Sequence, residues 1–204
     1  DQLNEFSKDG VAILDFIKKK RNSYFSTRNM ELMAIEMPIY YPASDKNKSV
    51  FFRGYLDIVM RDKRDDSFTI IDIKTSTKGW NKWQKNDVLK KRQLVLYKYF
   101  LAKQLGIDIE KIELNYFIVR RKVDPDSMYP LKRVQEFSFP DGRITVKKAV
   151  DSIDQFVTEA FNQDGTKNTD RTYKATAGEK GKNCKFCPHK DNESVCPKSN
   201  RVVE

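Results

Sequence analysis

Apolar residues recur at helical spacing from about residue 4 to 24 and then give way to segments where β-branched and aromatic residues alternate with polar ones. Three such segments, near 31–41, 51–60 and 68–75, read as strands. A helical pattern follows over about 85–105, and Gly106 stands where a left-handed residue closes a helix. Beyond it come strands over 111–121 and 134–139, and a helix over about 142–161. Pro125 and Pro130 break the chain between the later strands. Mixed strands flanked by helices predict an α/β fold: a central mixed β-sheet with helices on its faces, over residues 1–162. Residues 163–182 are a polar connector, so 163–204 form a separate linker and cysteine-rich segment.

The two central strands carry acids at matched positions. Asp57 in Gly54-Tyr55-Leu56-Asp57 and Asp72 in Ile70-Ile71-Asp72-Ile73-Lys74 flank the polar run 61–67, which has turn composition. In a hairpin symmetric about that turn, Asp57 and Asp72 sit directly opposite each other. Period-two geometry then puts Asp57, Asp72 and Lys74 on one face and Leu56, Ile58, Ile71 and Ile73 on the other. Opposed carboxylates repel unless a positive charge lies between them, and a divalent cation meets that need. The plainer account is a solvated hairpin face with a weak surface ion pair; the large apolar neighbours of each acid argue for burial instead. Glu36 lies in another strand-like run among apolar residues. Gln93 and Tyr97, four apart in the central helix, share a face and can converge on one site.

Charge adds a partner class. The chain has 204 residues, room for one core, with 39 Lys plus Arg against 29 Asp plus Glu, a net charge of +10 and a pI near 9.4. The excess is concentrated after the second acid: Lys74, Lys78, Lys82, Lys85, Lys90, Lys91, Arg92, Lys98 and Lys103 face only Asp87, with Trp80 and Trp83 interleaved. Basic groups attract phosphates and exposed aromatics stack on unpaired bases. A solubilising helix face with both tryptophans in the core is the competing account. No run long enough to span a bilayer and no signal-peptide pattern occurs, so a cytoplasmic protein is expected.

All three cysteines, Cys184, Cys187 and Cys196, lie within thirteen residues. With no secretory signal, C-x-x-C plus a third Cys reads as a metal or cluster signature rather than a disulfide framework. It supplies three ligands. A zinc site would need the single histidine, His189, as fourth, at a tight Cys187-x-His189 spacing.

Glu36, Gly54-x-x-Asp57, Asp72-x-Lys74 and Gln93-x-x-x-Tyr97, in that order, resemble the PD-(D/E)XK nuclease superfamily. The resemblance is to its RecB-like exonuclease branch, which includes AddB-type, CRISPR-associated and phage-encoded exonucleases, and it runs from about Glu36 to Cys196. It implies a restriction-endonuclease-like core and a divalent-metal-dependent DNA exonuclease acting in recombination, repair or replication. A helicase would be a fitting partner, and the host cytoplasm the site of action if the protein is phage-encoded. It implies that Asp57, Asp72 and the Ile73 carbonyl hold Mg²⁺ or Mn²⁺, and that Lys74 positions or deprotonates the attacking water. Glu36 becomes a further metal or water contact, and Gln93 and Tyr97 orient the phosphate and the Lys74 amine. Lys78, Trp80, Lys82, Trp83, Lys85, Lys90, Lys91 and Arg92 become the DNA-contacting stretch. It also implies a [4Fe–4S] cluster on Cys184, Cys187 and Cys196, whose fourth ligand, like a metal-binding histidine, lies far upstream in this branch. No such residues precede the nuclease motifs here, and the expectation is of an N-terminal part missing before Asp1. A nuclease-fold DNA-binding scaffold and an RNA-directed endonuclease are the other readings.

Overall fold

The computed structural model describes residues 1–25, 29–124, 126–171 and 175–202. Helix α1 (Gln2–Phe25) leads to strands β1 (Met30–Pro42), β2 (Phe51–Asp62) and β3 (Ser67–Ser76). The single helix expected over 85–105 is two, α2 (Lys82–Lys85) and α3 (Val88–Leu105). Capping is the cause. Asn81 and Gln84 form a capping box on α2, and the Asp87 carboxylate accepts from the Leu89 and Lys90 amides, restarting the helix. Gly106, at φ 67°, closes α3 as expected. Strands β4 (Ile112–Arg120) and β5 (Val134–Phe137) and helix α4 (Arg143–Ala160) complete the core; Pro125 lies outside the described residues. The chain forms two compact units, Asp1–Thr158 and Glu159–Glu204, against the boundary after residue 162 read from composition. In the second, β6 (Ala175–Thr176) pairs in parallel with β7 (Arg201–Val202).

The five strands of the first unit lie in the order β1-β2-β3-β4-β5, antiparallel except for β3 and β4. A parallel pair needs a crossover, and α3 lies within it. One sheet face packs Ile39, Leu56, Val59, Ile70, Leu114, Tyr116 and Ile118 with Leu94, Val95, Phe100 and Leu101 of α3 and Ala149 of α4. The other packs Met60, Ile71, Phe117, Val119 and Val134 against Ile13, Phe16, Ile17, Tyr24 and Phe25 of α1. Strand β4 is apolar on both faces because both are covered. Among the described residues no helix is long and apolar enough to cross a membrane.

The β2–β3 turn fixes the register. Asp62 accepts from the Arg64 amide at 3.0 Å and pairs with its guanidinium, which holds the Asp62 carboxyl down at about 2. Asp66 takes a positive φ of 57°. The pairs run from Asp62↔Ser67 to Ile58↔Ile71, so Asp57 and Asp72 occupy the next rung of the symmetric hairpin. There the ladder stops, and residues 51–57 of β2 pair with β1 alone. Strict alternation stops there too. Ile58 and Ile71 pack on the α1 side as expected, whereas Leu56 joins the α3-side cluster and Ile73 is exposed. The cause is Glu36: between the pairs Ile35↔Ile58 and Met37↔Leu56 it stands across from Asp57 with φ 52°, a kink that re-aims the ribbon. The outer edge of β1 is blocked where the ribbon projects. The Gln104 side chain accepts from the Tyr40 amide at 2.9 Å and donates to the Pro38 carbonyl at 3.0 Å.

Candidate active site

Asp72 projects from β3 on the side covered by α3 and is 5% exposed. Its buried Oδ2 lies 2.6 Å from Lys74 Nζ, a close charge pair. Burial pushes the Asp72 carboxyl above the usual carboxylate range; Lys74 opposes the shift and the nearby Asp57 charge adds to it. Beside it on β4, burial raises the Tyr116 phenol, and its hydroxyl donates to the Lys90 carbonyl at 2.7 Å, tying β4 to the start of α3.

Asp57 stands where β2 parts from β3. Its Oδ2 accepts the Ile73 amide at 2.7 Å, taking the place of a ladder acceptor and fixing the carboxylate beside Asp72 and Lys74. On α3, Gln93 Nε2 donates to the Tyr97 hydroxyl at 3.1 Å, so the helical spacing does bring these two together. Gly54 lets α3 close on β2: a Cβ there would come within 2.7 Å of the Tyr97 ring. Gly54→Ala should therefore push Tyr97 and Gln93 out of register. We expect cleavage to fall roughly ten- to a hundredfold with the circular dichroism spectrum unchanged; an unimpaired variant would remove Tyr97 from the site.

Two carboxylates, one of them buried, beside a main-chain carbonyl at Ile73 are a hard-oxygen set. It suits Mg²⁺ or Mn²⁺, which take one or two carboxylates and complete their shells with water and substrate phosphate. The family comparison bears on this set of residues directly. The PD-(D/E)XK nuclease superfamily model matches residues 11–197, nearly the whole chain. The chain belongs to the PD-(D/E)XK nuclease superfamily. Members of this superfamily are typically nucleases, phosphodiester hydrolases that generally use Mg²⁺ or Mn²⁺. No curated protein matches the chain. Among solved structures it is similar to one titled crystal structure of SSO0001, at 15% identity and a TM-score of 0.36, over 72% of this chain and 58% of that one. The chain thus spans little more than half the length of that protein.

Glu36 is exposed on the kink, and among the described residues no three His, Cys, Asp or Glu side chains gather as a metal-holding group. The two tryptophans also divide. Trp80 is 7% exposed and packs on Tyr116 and Phe137, a core residue rather than a DNA contact, while Trp83 is 84% exposed on basic α2. Lys78, Lys82 and Arg92 are open to solvent, Arg92 donating to Ser152. Lys85 and Lys91 lie over the Phe137 ring, and Lys90 pairs with Asp87 over Trp80, so these three also cover aromatic surface.

Cavities of about 490 and 400 Å³ open elsewhere on the first unit, away from Asp57 and Asp72. A third, of about 340 Å³, borders the site and is lined by Phe52, Arg53, Leu89, Arg92, Gln93, Leu96 and Tyr97. Arg53 was not among the residues expected from sequence. The alternation Phe51-x-Arg53-x-Tyr55 just before Asp57 was the available signal. Gln135 was also not expected: its amide accepts from the Trp80 N–H at 2.7 Å and donates to the Trp80 carbonyl at 3.2 Å, holding the loop after β3.

In the second unit the Cys187 amide donates to the Cys184 carbonyl at 3.1 Å, a turn that folds the C-x-x-C segment back on itself. Cys196 follows another turn, its carbonyl accepting from Arg201 at 3.0 Å. The three thiols are free, and they do not gather with one another or with His189 as a ligand set.

Proposed function

We propose that the chain is a divalent-metal-dependent DNA exonuclease of the RecB-like kind, working in recombination, repair or replication beside a helicase. The observation that carries the catalytic reading is the buried Asp72 carboxylate, with Lys74 Nζ at 2.6 Å and the Asp57 charge nearby. Burying a carboxylate next to a like charge is costly in a protein with no use for it. Asp57, Asp72 and the Ile73 carbonyl would hold Mg²⁺ or Mn²⁺, which supplies a Lewis acid and an acidified water when bound. Lys74, on the same strand face as Asp72, positions the attacking water and offsets charge building on the phosphoryl oxygens. The Gln93 amide and Tyr97 hydroxyl, already bonded to each other, orient the phosphate. Exposed Lys78, Lys82 and Arg92 draw the DNA backbone toward them.

The test uses end-labelled linear single-stranded DNA, linear duplex DNA, closed circular DNA and RNA, with Mg²⁺ or Mn²⁺ and with EDTA. Linear DNA should shorten from its ends only when metal is present, leaving circles and RNA intact. Opened circles would replace the exonuclease reading with an endonuclease one, and preferential loss of RNA would redirect it to RNA. Failure to cut any of the four would end the catalytic reading.

For the second unit, we propose that Cys184, Cys187 and Cys196 hold one structural [4Fe–4S] cluster. The supports are three thiols within thirteen residues, the turned C-x-x-C segment and the branch resemblance. Iron and acid-labile sulphide measured on anaerobically prepared protein decide the matter. Stoichiometric zinc without iron would replace the cluster by a zinc site.

A further inference from the structure

Beyond the catalytic residues, the projecting β1–β2 ribbon has a face of its own. Phe51, Arg53 and Tyr55 alternate with Phe52, Gly54 and Leu56, and the latter three face α3. Tyr40 is the cross-strand partner of Arg53, so it shares the outer face. On that face Tyr40 and Phe51 stack nearly parallel, with centroids 4.5 Å apart and planes 3° from each other. Arg53 donates to the Tyr55 hydroxyl at 2.7 Å and lies 5.7 Å from the ring centroid. All three rings are open to solvent, Tyr40 at 61%, Phe51 at 44% and Tyr55 at 46% exposure.

We propose that this outer face binds the unpaired nucleotides of a single DNA strand, by stacking on Tyr40, Phe51 and Tyr55 with Arg53 on the backbone. Three observations select this occupant. The face is basic rather than acidic: Arg53 stands on it, and Lys46 and Lys48 against Asp45 stand at the ribbon tip, in a chain of net charge +10. Strand addition by a protein is blocked beside this face, because Gln104 already satisfies the Tyr40 amide and the Pro38 carbonyl there. And Arg53 is also among the residues lining the groove that contains Gln93 and Tyr97, so the face and the groove beside the candidate active site share a cationic residue. A duplex keeps its base faces stacked inside and offers nothing to three flat exposed rings, whereas an unpaired strand presents a π-face at every base.

The link to the candidate active site rests on the nuclease reading; the binding itself does not. Binding is therefore measured by fluorescence anisotropy of labelled oligodeoxythymidylate in EDTA, where no cleavage occurs. Tyr40→Ala/Phe51→Ala should weaken it about tenfold or more and leave affinity for a blunt duplex unchanged. Tyr40→Leu/Phe51→Leu keeps the apolar bulk and should lose the same affinity, while Tyr40→Phe/Phe51→Tyr should retain it. Asp72→Asn should bind like the parent; a parent chain that binds here but cuts no DNA with Mg²⁺ or Mn²⁺ would end the nuclease reading and leave this one standing. Parent-like binding by the leucine pair overturns the proposal, as does tighter binding of oligouridylate RNA. A concentration-dependent dimer abolished by the same substitutions, with DNA binding intact, also overturns it and gives the face to a second copy.

Discussion

Asp72→Asn and Lys74→Ala should each leave a protein that binds DNA and does not cut it. Asp72 brings the buried carboxylate oxygen on which a divalent cation would be held, and Lys74 Nζ lies 2.6 Å from it. Removing either group removes stabilisation needed only as charge develops on the phosphate, so the rate should drop roughly a thousandfold or more. Binding should fall far less, because Lys78, Lys82, Trp83 and Arg92 are exposed elsewhere on the surface and act on phosphates and bases directly. That residual binding should weaken steeply with added salt. Single-turnover cleavage and anisotropy titration on the same preparations separate the two quantities. Parent-like cutting by both variants, in Mg²⁺ and in Mn²⁺, is the result that defeats the mechanism.

Much of this site was legible because hairpin register is a local property. A turn rich in Asp, Arg and Ser, with apolar alternation on both sides, leaves one register that buries Ile70 and Ile71 on opposite faces, and its last pair, Ile58↔Ile71, comes one step before Asp57 and Asp72. The Gln93–Tyr97 contact was equally local, four residues apart on one helix. What sequence did not show depends on distant partners. Whether a tryptophan in a basic stretch is core or surface depends on what packs over it. Trp80 meets Tyr116 and the Gln135 amide from two later strands, and Trp83 meets nothing comparable. The break before α3 was visible in principle, since Asp87 is a capping residue, but a helical pattern continuing on both sides masked it. The face switch at Leu56 follows from a positive φ at Glu36, and nothing in the alternation of β2 itself announces a kink in its neighbour.

A second large effect is expected on stability, and it runs opposite to the usual outcome of mutating a buried polar residue. In metal-free protein, Asp72→Asn should leave stability unchanged or raise it, whereas Lys74→Met should lower it. The aspartate is buried and its carboxyl is raised by that burial, with Asp57 adding repulsion and Lys74 giving the main relief. Taking away the charge removes a penalty; taking away the ammonium leaves the penalty unopposed. The pH dependence follows from the direction of the shift. A carboxyl whose folded pKa lies above its unfolded value favours folding at low pH, where it is protonated in both states, and that contribution fades as pH rises through the raised folded value. The advantage of Asp72→Asn over the parent should therefore be absent in acid and grow toward neutral pH. Mg²⁺ or Mn²⁺ should reverse the order. At a hundredfold excess over its Kd, a ligand that binds only the folded state adds about 2.7 kcal/mol, a melting shift of roughly 5 to 10 °C for a chain of this size. The parent should show that shift in a Mn²⁺ titration followed by scanning calorimetry, and Asp72→Asn should not. Equal metal-induced shifts in the two proteins would place the cation elsewhere than on Asp72.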